Sequence, residues 1–153
     1  VLNLLIKNNL TLSIAESCTG GFISKSITDI KGSSKVFLGG LVAYDNSIKN
    51  NFLDISNDII EKYGAVSHEV SELMANNISK NFKSDIALSC TGISGPDGGS
   101  DKKPVGTVYI SIKFLDKLLT NKFVFKLDRK SHRLMTKQAA LYMLWKLLIN
   151  LKY

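Results

Sequence analysis

The segment from Gly32 to Lys49 reads GSSKVFLGGLVAYDNSIK and carries polar groups at both ends of an apolar run. The run from Val36 to Ala43 has strand character and separates Ser34 from Tyr44, and Lys49 follows where a helix is expected to begin. A hydroxyl, a phenol and an amine near the ends of one buried strand can form a lysine-activated nucleophile. We therefore predict that Ser34, Tyr44 and Lys49 are catalytic.

The strand in this segment is the second of five that the apolar pattern predicts, and residues at helical spacing lie between the first three. The predicted strands are Thr11–Ala15, Val36–Ala43, Asp85–Cys90, Val105–Phe114 and Lys122–Leu127. Strands separated by helices favour parallel pairing, whereas the directly connected third, fourth and fifth strands favour antiparallel pairing. The pattern predicts a three-layer α/β/α sandwich with a mixed five-stranded sheet.

A long helix is predicted to close the chain. Ser131 has the residue type of an N-cap, and the predicted buried face consists of Leu134, Leu141, Trp145 and Leu148. Arg129 and Arg133 flank the cap and are able to clamp a phosphate, helped by the helix N-terminus. A solvated basic turn explains the same run equally simply.

The composition limits the classes of protein that the chain can belong to. Its 153 residues suit a single domain, 1–153, that buries roughly two thirds of its unfolded surface. No apolar stretch reaches the roughly 20 residues of a membrane span, and no signal peptide is recognised, so we expect a cytoplasmic location without membrane contact. The net charge is +7, but the lysines are scattered. A generally basic surface, which attracts phosphorylated small molecules, explains this charge better than a nucleic-acid patch.

The cysteines and histidines offer little chemistry of their own. Cys18 and Cys90 each end a predicted strand, and without secretion we expect no disulfide between them. Neither has the spacing of a metal ligand, so we expect no metal site, and both suit small residues in tight turns better than thiol nucleophiles. His68 and His132 lie outside any triad pattern and are predicted at the surface. Lys49 is then the candidate base.

Three segments are expected to meet, because ligands of open α/β sheets bind at the carboxyl ends of the strands. They are Glu16–Gly21, Tyr44–Lys49 and Thr91–Gly99. The first joins a strand to a helix through a polar turn with two glycines, which is typical of an anion site and equally of a turn that packs a helix on a strand. The third is a long glycine-rich loop that can wrap a ligand, with a disordered crossover as the alternative.

Six blocks in order resemble the CinA C-terminal domain family from about Leu10 to the end of the chain. The blocks are AESCTGG (15–21), GSS (32–34), VAYDNSIK (42–49), GAVS (64–67), TGISGPDGG (91–99) and KPVGTV (103–108). The resemblance implies a sheet with one antiparallel strand, catalytic roles for Ser34, Tyr44 and Lys49, and no metal or cofactor. The substrate pocket that it implies draws on Ser17, Cys18, Thr19, Gly20, Thr91, Gly92, Gly95, Pro96 and Thr107. An arginine of many relatives matches Arg129, with Arg133 nearby, but Leu127 stands where they carry glycine.

Members of that family include nicotinamide mononucleotide amidohydrolases. The resemblance therefore implies hydrolysis of the carboxamide of nicotinamide mononucleotide to nicotinic acid mononucleotide and ammonia, in a homodimer or larger homo-oligomer. Lys49 would have to be neutral part of the time, which requires a lowered pKa. One alternative is a non-catalytic competence- or damage-associated protein that binds nucleotides or DNA. A phosphotransferase is another, although the chain lacks a Walker lysine and a carboxylate cluster for magnesium.

Overall fold

The computed structural model describes residues 1–151, and residues 152 and 153 lie outside the description. The helices are α1 (Leu2–Lys7), α2 (Phe22–Thr28), α3 (Asn46–Leu53), α4 (Asn57–Tyr63), α5 (His68–Phe82) and α6 (Arg129–Ile149), with a short 3-10 helix at Ser33–Lys35. The strands are β1 (Leu12–Glu16), β2 (Phe37–Val42), β3 (Ile86–Gly92), β4 (Thr107–Phe114) and β5 (Lys117–Val124).

The five strands form one sheet in the order β2-β1-β3-β4-β5. β1 pairs in parallel with β2 and β3, whereas β4 runs antiparallel to both β3 and β5. This arrangement confirms the predicted mixed sheet with one antiparallel strand. Glu16 lies in register with Val42 and with Cys90, so β1, β2 and β3 end close together at one edge of the sheet.

Two apolar clusters give the molecule its three layers. One packs α1, α2 and α6 against one face of the sheet and includes Leu5, Ile23 and Leu144. The other packs α3, α4 and α5 against the opposite face and includes Leu53 and Met74. Every residue of β1 is buried, as expected for a parallel strand that is covered on both faces. Within residues 1–151, each helix is too short or too polar to cross a bilayer.

The predicted fifth strand is displaced along the sequence. It was placed at Lys122–Leu127, but β5 begins at Lys117 and ends at Val124. Only Leu115 and Asp116 connect β4 to β5, and Leu115 adopts a left-handed conformation with φ 53°. This turn carries neither glycine nor asparagine, so its sequence does not predict a two-residue hairpin.

The predicted start and buried face of the last helix are also wrong in part. Asp128 is the N-cap, and its carboxylate accepts hydrogen bonds from the backbone N–H groups of Lys130 and Ser131. Leu148 is buried, but the side chains of Leu134 and Trp145 are exposed. The buried face consists of His132, Thr136, Ala140, Met143, Leu144 and Leu148. Because apolar residues occur on several sides of α6, only packing against the sheet selects this face.

Candidate active site

A pocket of about 180 Å³ lies at the edge where β1, β2 and β3 end. Parallel strands direct their carboxyl ends to the same edge, and the segments that follow β1, β2 and β3 meet there, as predicted. The pocket is lined by Ser17, Cys18, Tyr44, Asn46, Lys49, Ala65, Val66, Thr91, Gly92, Ser94 and Arg129. Six of these are predicted site residues: Ser17, Cys18, Tyr44, Lys49, Thr91 and Gly92. Arg129 is a seventh.

Ser34 does not belong to this pocket. It lies exposed in the 3-10 helix that precedes β2, whereas Tyr44 and Lys49 follow the carboxyl end of the same strand. A strand of six residues spans about 20 Å. The predicted grouping of Ser34 with Tyr44 and Lys49 within one chain is therefore wrong. Ser17, in contrast, follows β1 and lines the pocket together with Lys49.

Lys49 lies on α3, and backbone carbonyls between β2 and α3 hold its amine in place. Only 1% of its surface is exposed. Its Nζ donates hydrogen bonds to the carbonyl oxygens of Ala43 at 2.9 Å and Tyr44 at 3.1 Å. Burial lowers the pKa of Lys49, while the charge of the Asp45 carboxylate opposes this shift. The result is an amine that loses its proton more readily than a lysine in water.

Asp45 anchors the start of the same helix. It is the N-cap of α3, and its carboxylate accepts hydrogen bonds from the Ser47 N–H at 2.8 Å and the Ser47 hydroxyl at 2.6 Å. The hydrogen bond from the Ser47 hydroxyl lowers the pKa of Asp45 most, and the bond from the Ser47 backbone N–H lowers it further. The chain is thereby directed into α3 immediately after β2, which carries Lys49 back over the pocket.

A buried carboxylate occupies the predicted anion site after β1. Glu16 accepts hydrogen bonds from the backbone N–H groups of Ile23 at 3.0 Å and Ser24 at 2.8 Å. It also accepts from the hydroxyls of Thr19 at 2.6 Å and Ser24 at 2.7 Å. The N–H groups of Ile23 and Ser24 in the first turn of α2 are thus satisfied by Glu16, and the Thr19 hydroxyl helps to hold this carboxylate in place. Gly20 and Gly21 have the positive φ angles, 59° and 91°, that this turn needs.

The two arginines have different positions. The guanidinium of Arg129 donates from Nη2 to the Tyr44 phenol oxygen at 2.7 Å and from Nη1 to the Gly95 carbonyl at 2.9 Å. It thereby links the segment after β2 to the glycine-rich loop at the mouth of the pocket. Arg133 donates to the Thr19 carbonyl at 2.8 Å and does not line the pocket.

Of the remaining predicted residues, Thr91 lines the pocket, whereas Gly20, Pro96 and Thr107 do not. Thr91 is buried and donates its hydroxyl to the Ala65 carbonyl at 2.8 Å. Pro96 is exposed beyond Gly95, and neither it nor Gly20 lines the pocket. Thr107 is buried on β4 outside the lining, and its Oγ1 has no hydrogen-bond partner within residues 1–151.

The two cysteines are free thiols, as predicted. Cys18 and Cys90 are both buried, and Thr19 Oγ1 lies 3.1 Å from the sulfur of Cys90. Contact with Cys90, together with burial, raises the pKa of Cys18. Cys18 therefore carries a protonated thiol at neutral pH, which suits a wall residue better than a nucleophile.

His132 was predicted at the surface, and this prediction is wrong. Its side chain is completely buried on α6. Nδ1 lies 2.9 Å from the Ser94 hydroxyl oxygen, and Nε2 lies 3.2 Å from the Gly106 carbonyl oxygen. Burial lowers the pKa of His132, and the charge of Arg129 adds to this effect. His68, in contrast, is exposed as predicted and pairs with Glu72 at 3.6 Å.

Sequence reasoning also missed Ser94, Asn46, Ala65 and Val66 in the lining. Ser94 and Asn46 lie inside segments that were expected to reach the site. Ala65 and Val66 lie in the GAVS block before α5, which carries no ionisable group to mark it. Their presence follows from the Thr91 bond to Ala65, which draws this segment to the end of β3.

A mixed sheet with a lysine-containing pocket at the carboxyl ends of its parallel strands defines an α/β protein with a candidate small-molecule site. The family model for the CinA C-terminal domain matches residues 1–148, and the chain belongs to this family.

Named relatives and solved structures agree with this assignment. A CinA-like protein from Pseudothermotoga lettingae is 49% identical over 156 residues, which cover 99% of this chain and 37% of that protein. The chain thus spans little more than a third of the length of such curated relatives.

Among solved structures, competence damage-inducible protein A from Klebsiella pneumoniae has a TM-score of 0.94 at 27% identity, covering 98% of this chain and 93% of that one. Competence/damage inducible protein CihA from Agrobacterium tumefaciens has a TM-score of 0.92 at 36% identity, covering 95% and 90%.

Proposed function

We propose that this domain hydrolyses the carboxamide of nicotinamide mononucleotide to nicotinic acid mononucleotide and ammonia, with Ser17 in place of Ser34 as the nucleophile. The observation that carries the proposal is that Ser17 and the buried amine of Lys49 line one pocket. An amide hydrolase of this kind needs a nucleophile and a base whose pKa lies closer to neutrality than that of free lysine.

The proposed reaction starts from the neutral form of Lys49. The amine accepts the Ser17 proton as Ser17 Oγ attacks the carboxamide carbon, and the Lys49 ammonium then donates this proton to the amide nitrogen, which departs as ammonia. Water hydrolyses the resulting acyl ester with Lys49 again as the base, which releases the acid and regenerates Ser17. Burial, by lowering the pKa of Lys49, supports this role.

The turn after β1 also supports stabilisation of the oxyanion. The N–H groups of Ser17 and Gly20 bond to the Cys90 and Ser17 carbonyls, whereas those of Cys18 and Thr19 are not among the backbone pairs of residues 1–151. A backbone donor directed at the oxyanion is worth about 3 kcal/mol of transition-state stabilisation. Tyr44 and Arg129, at the mouth of the pocket, would bind the phosphorylated end of the substrate, since Arg129 brings a positive charge there.

The decisive experiment compares two serine variants. Purified protein is incubated with nicotinamide mononucleotide and the released ammonia is measured. Ser17→Ala should lose at least about a hundredfold in kcat/KM because the nucleophile is gone, while Ser34→Ala, at the other end of β2, should stay within about twofold. Full activity in Ser17→Ala together with loss in Ser34→Ala would restore the original assignment.

The DNA-binding alternative rests on basic residues that are engaged elsewhere. Arg129, which is exposed, and Arg133, which is half-buried, donate hydrogen bonds to Gly95, Tyr44 and Thr19 of the same chain. A DNA complex is expected to weaken steeply as salt rises, so absence of binding at low salt would exclude direct DNA handling. Two further properties stay predictions: assembly into a homodimer or larger homo-oligomer, and a cytoplasmic location. Analytical ultracentrifugation measures the oligomeric state.

A further inference from the structure

We propose that His132 is a positioning residue that fixes the Ser94 hydroxyl as a hydrogen-bond acceptor toward the pocket, and that this acceptor selects a carboxamide over the corresponding carboxylate. The proposal rests on the proposed function for the identity of its ligand. Ser94 lines the pocket together with Ser17 and Lys49, whereas His132 stands behind it and reaches the ligand only through Ser94.

The hydrogen-bond partners of His132 determine its tautomer. The Gly106 carbonyl can only accept, so the ring nitrogen that faces it at 3.2 Å, Nε2, carries the proton. In the neutral ring, Nδ1 is then the acceptor. The Ser94 hydroxyl, 2.9 Å from Nδ1, must therefore donate its proton to the histidine.

The surroundings of His132 favour the neutral ring. Its side chain is fully buried, its ring nitrogens face Ser94 and Gly106 from the segment before β4, and its ring centroid lies 6.2 Å from that of Phe125. The positive charge of the Arg129 guanidinium, on the same helix, disfavours protonation of the His132 ring. None of these groups is a carboxylate that would favour an imidazolium.

A serine whose proton is committed in this way offers only lone pairs to a ligand. A carboxamide can donate an N–H to that oxygen, whereas a carboxylate presents two acceptors and a negative charge. The acid would leave the Ser94 oxygen facing another acceptor, an unpaired contact that costs binding free energy. The pocket would therefore bind the amide and release the acid.

The tautomer can be observed directly and without any assay of activity. The chain has two histidines, so nitrogen-15 NMR of the intact protein, with His68→Gln for assignment, resolves the ring of His132. We expect a protonated Nε2 and an unprotonated Nδ1 at neutral pH. A proton on Nδ1, in either the other tautomer or the cation, would overturn the proposed orientation of Ser94.

Two substitutions of His132 form a matched pair. His132→Asn keeps a hydrogen-bond acceptor near the position of Nδ1. His132→Leu has a side chain of similar volume but no acceptor. Both lose the bond to Gly106, so they share that structural cost. In His132→Leu the Ser94 hydroxyl is free to turn and donate to a carboxylate.

The measured quantity is the inhibition constant of nicotinic acid mononucleotide divided by the KM of nicotinamide mononucleotide. We expect this ratio to fall about five- to tenfold in His132→Leu, with a smaller change in kcat, and to stay within about twofold in His132→Asn. Ser94→Ala should lower the ratio similarly, and adding His132→Leu to it should change nothing further.

Equal ratios in all variants would overturn the selectivity that we assign to Ser94. If the wild-type protein releases no ammonia but binds both nucleotides in calorimetry, the proposed function fails while the ratio of dissociation constants still tests the selectivity. A wild-type protein that binds neither nucleotide overturns both.

Discussion

The two ends of β2 carry similar side chains and have opposite characters. Ser34 and Lys35 precede the strand and are exposed, whereas Tyr44 and Lys49 follow it and Lys49 is buried. The difference arises because only the carboxyl edge gathers three parallel strand ends and the segments after them. A serine and a lysine acquire catalytic potential from the edge at which they lie, not from their spacing along the chain.

The largest expected effect comes from replacing the lysine at each end of β2 in turn. Lys49→Met should lower kcat/KM for ammonia release by about a thousandfold or more, because the variant lacks the proposed base. Lys35→Met makes the same chemical change at the other end of β2 and should leave kcat/KM within about twofold. Comparable losses in both variants would show that the two ends act together.

A second pair of substitutions compares buried and exposed carboxylates at the two edges. Each oxygen of Glu16 accepts from one backbone N–H and one hydroxyl, so Glu16→Gln places an amide nitrogen opposite one such pair of donors and should lower the free energy of unfolding by about 2 kcal/mol. Asp85→Asn, at the amino edge, alters exposed bonds to Thr11 and should cost less than half as much. Urea denaturation measures both, and an equal loss would contradict a special role for Glu16.

The pH dependence of stability sharpens the comparison further. Burial lowers the pKa of Lys49 in the folded state, so the unfolded chain binds more protons between that value and about 10.4. Through this window the contribution of Lys49 to the free energy of unfolding rises with pH. Below the folded-state pKa, Lys49 lowers the free energy of unfolding by an amount that no longer changes with pH.

The measurement compares wild type with Lys49→Met by urea denaturation at about pH 7 and about pH 9.5. Wild type should gain stability relative to the variant at the higher pH. Lys35→Met, which removes an exposed lysine, serves as the control and should show a difference from wild type that changes less with pH. A constant difference between wild type and Lys49→Met would contradict the lowered pKa. Activity should likewise rise with pH and level off below the pH at which a lysine in water loses its proton.

The smallest expected effect concerns the wall of the pocket. Cys18→Ser should change kcat/KM by only a few fold, because a buried thiol with a raised pKa is not a nucleophile. Iodoacetamide should react slowly with folded wild-type protein at neutral pH and rapidly in urea. Rapid alkylation of the folded protein at Cys18 would contradict this assignment.

Much of the fold could be predicted because its signals are local. Apolar runs identify four of the strands closely, and the presence or absence of a helix between them predicts the direction of pairing. The prediction for β5 was displaced because the Leu115–Asp116 turn contains neither glycine nor asparagine, although Leu115 has a positive φ. The face of α6 was wrong in part because its apolar residues do not lie on one side.

The site was predictable only as three segments that converge. The rule on strand ends brought together Ser17, Lys49 and Thr91, and the same rule places Ser34, which precedes its strand, at the other edge of the sheet. His132 escaped prediction because nothing in a basic turn shows that one of its residues points inward.

The amino-acid sequence alone determined the α/β class, the mixed sheet and the family, since these depend on periodicity and on ordered blocks of residues. Only the tertiary structure decided which serines line the pocket with Lys49, that Glu16 accepts hydrogen bonds from the first turn of α2, and that His132 lies beside Ser94. The physical reason is that such contacts join residues up to 38 positions apart, and packing, not spacing, determines which polar groups lose contact with water.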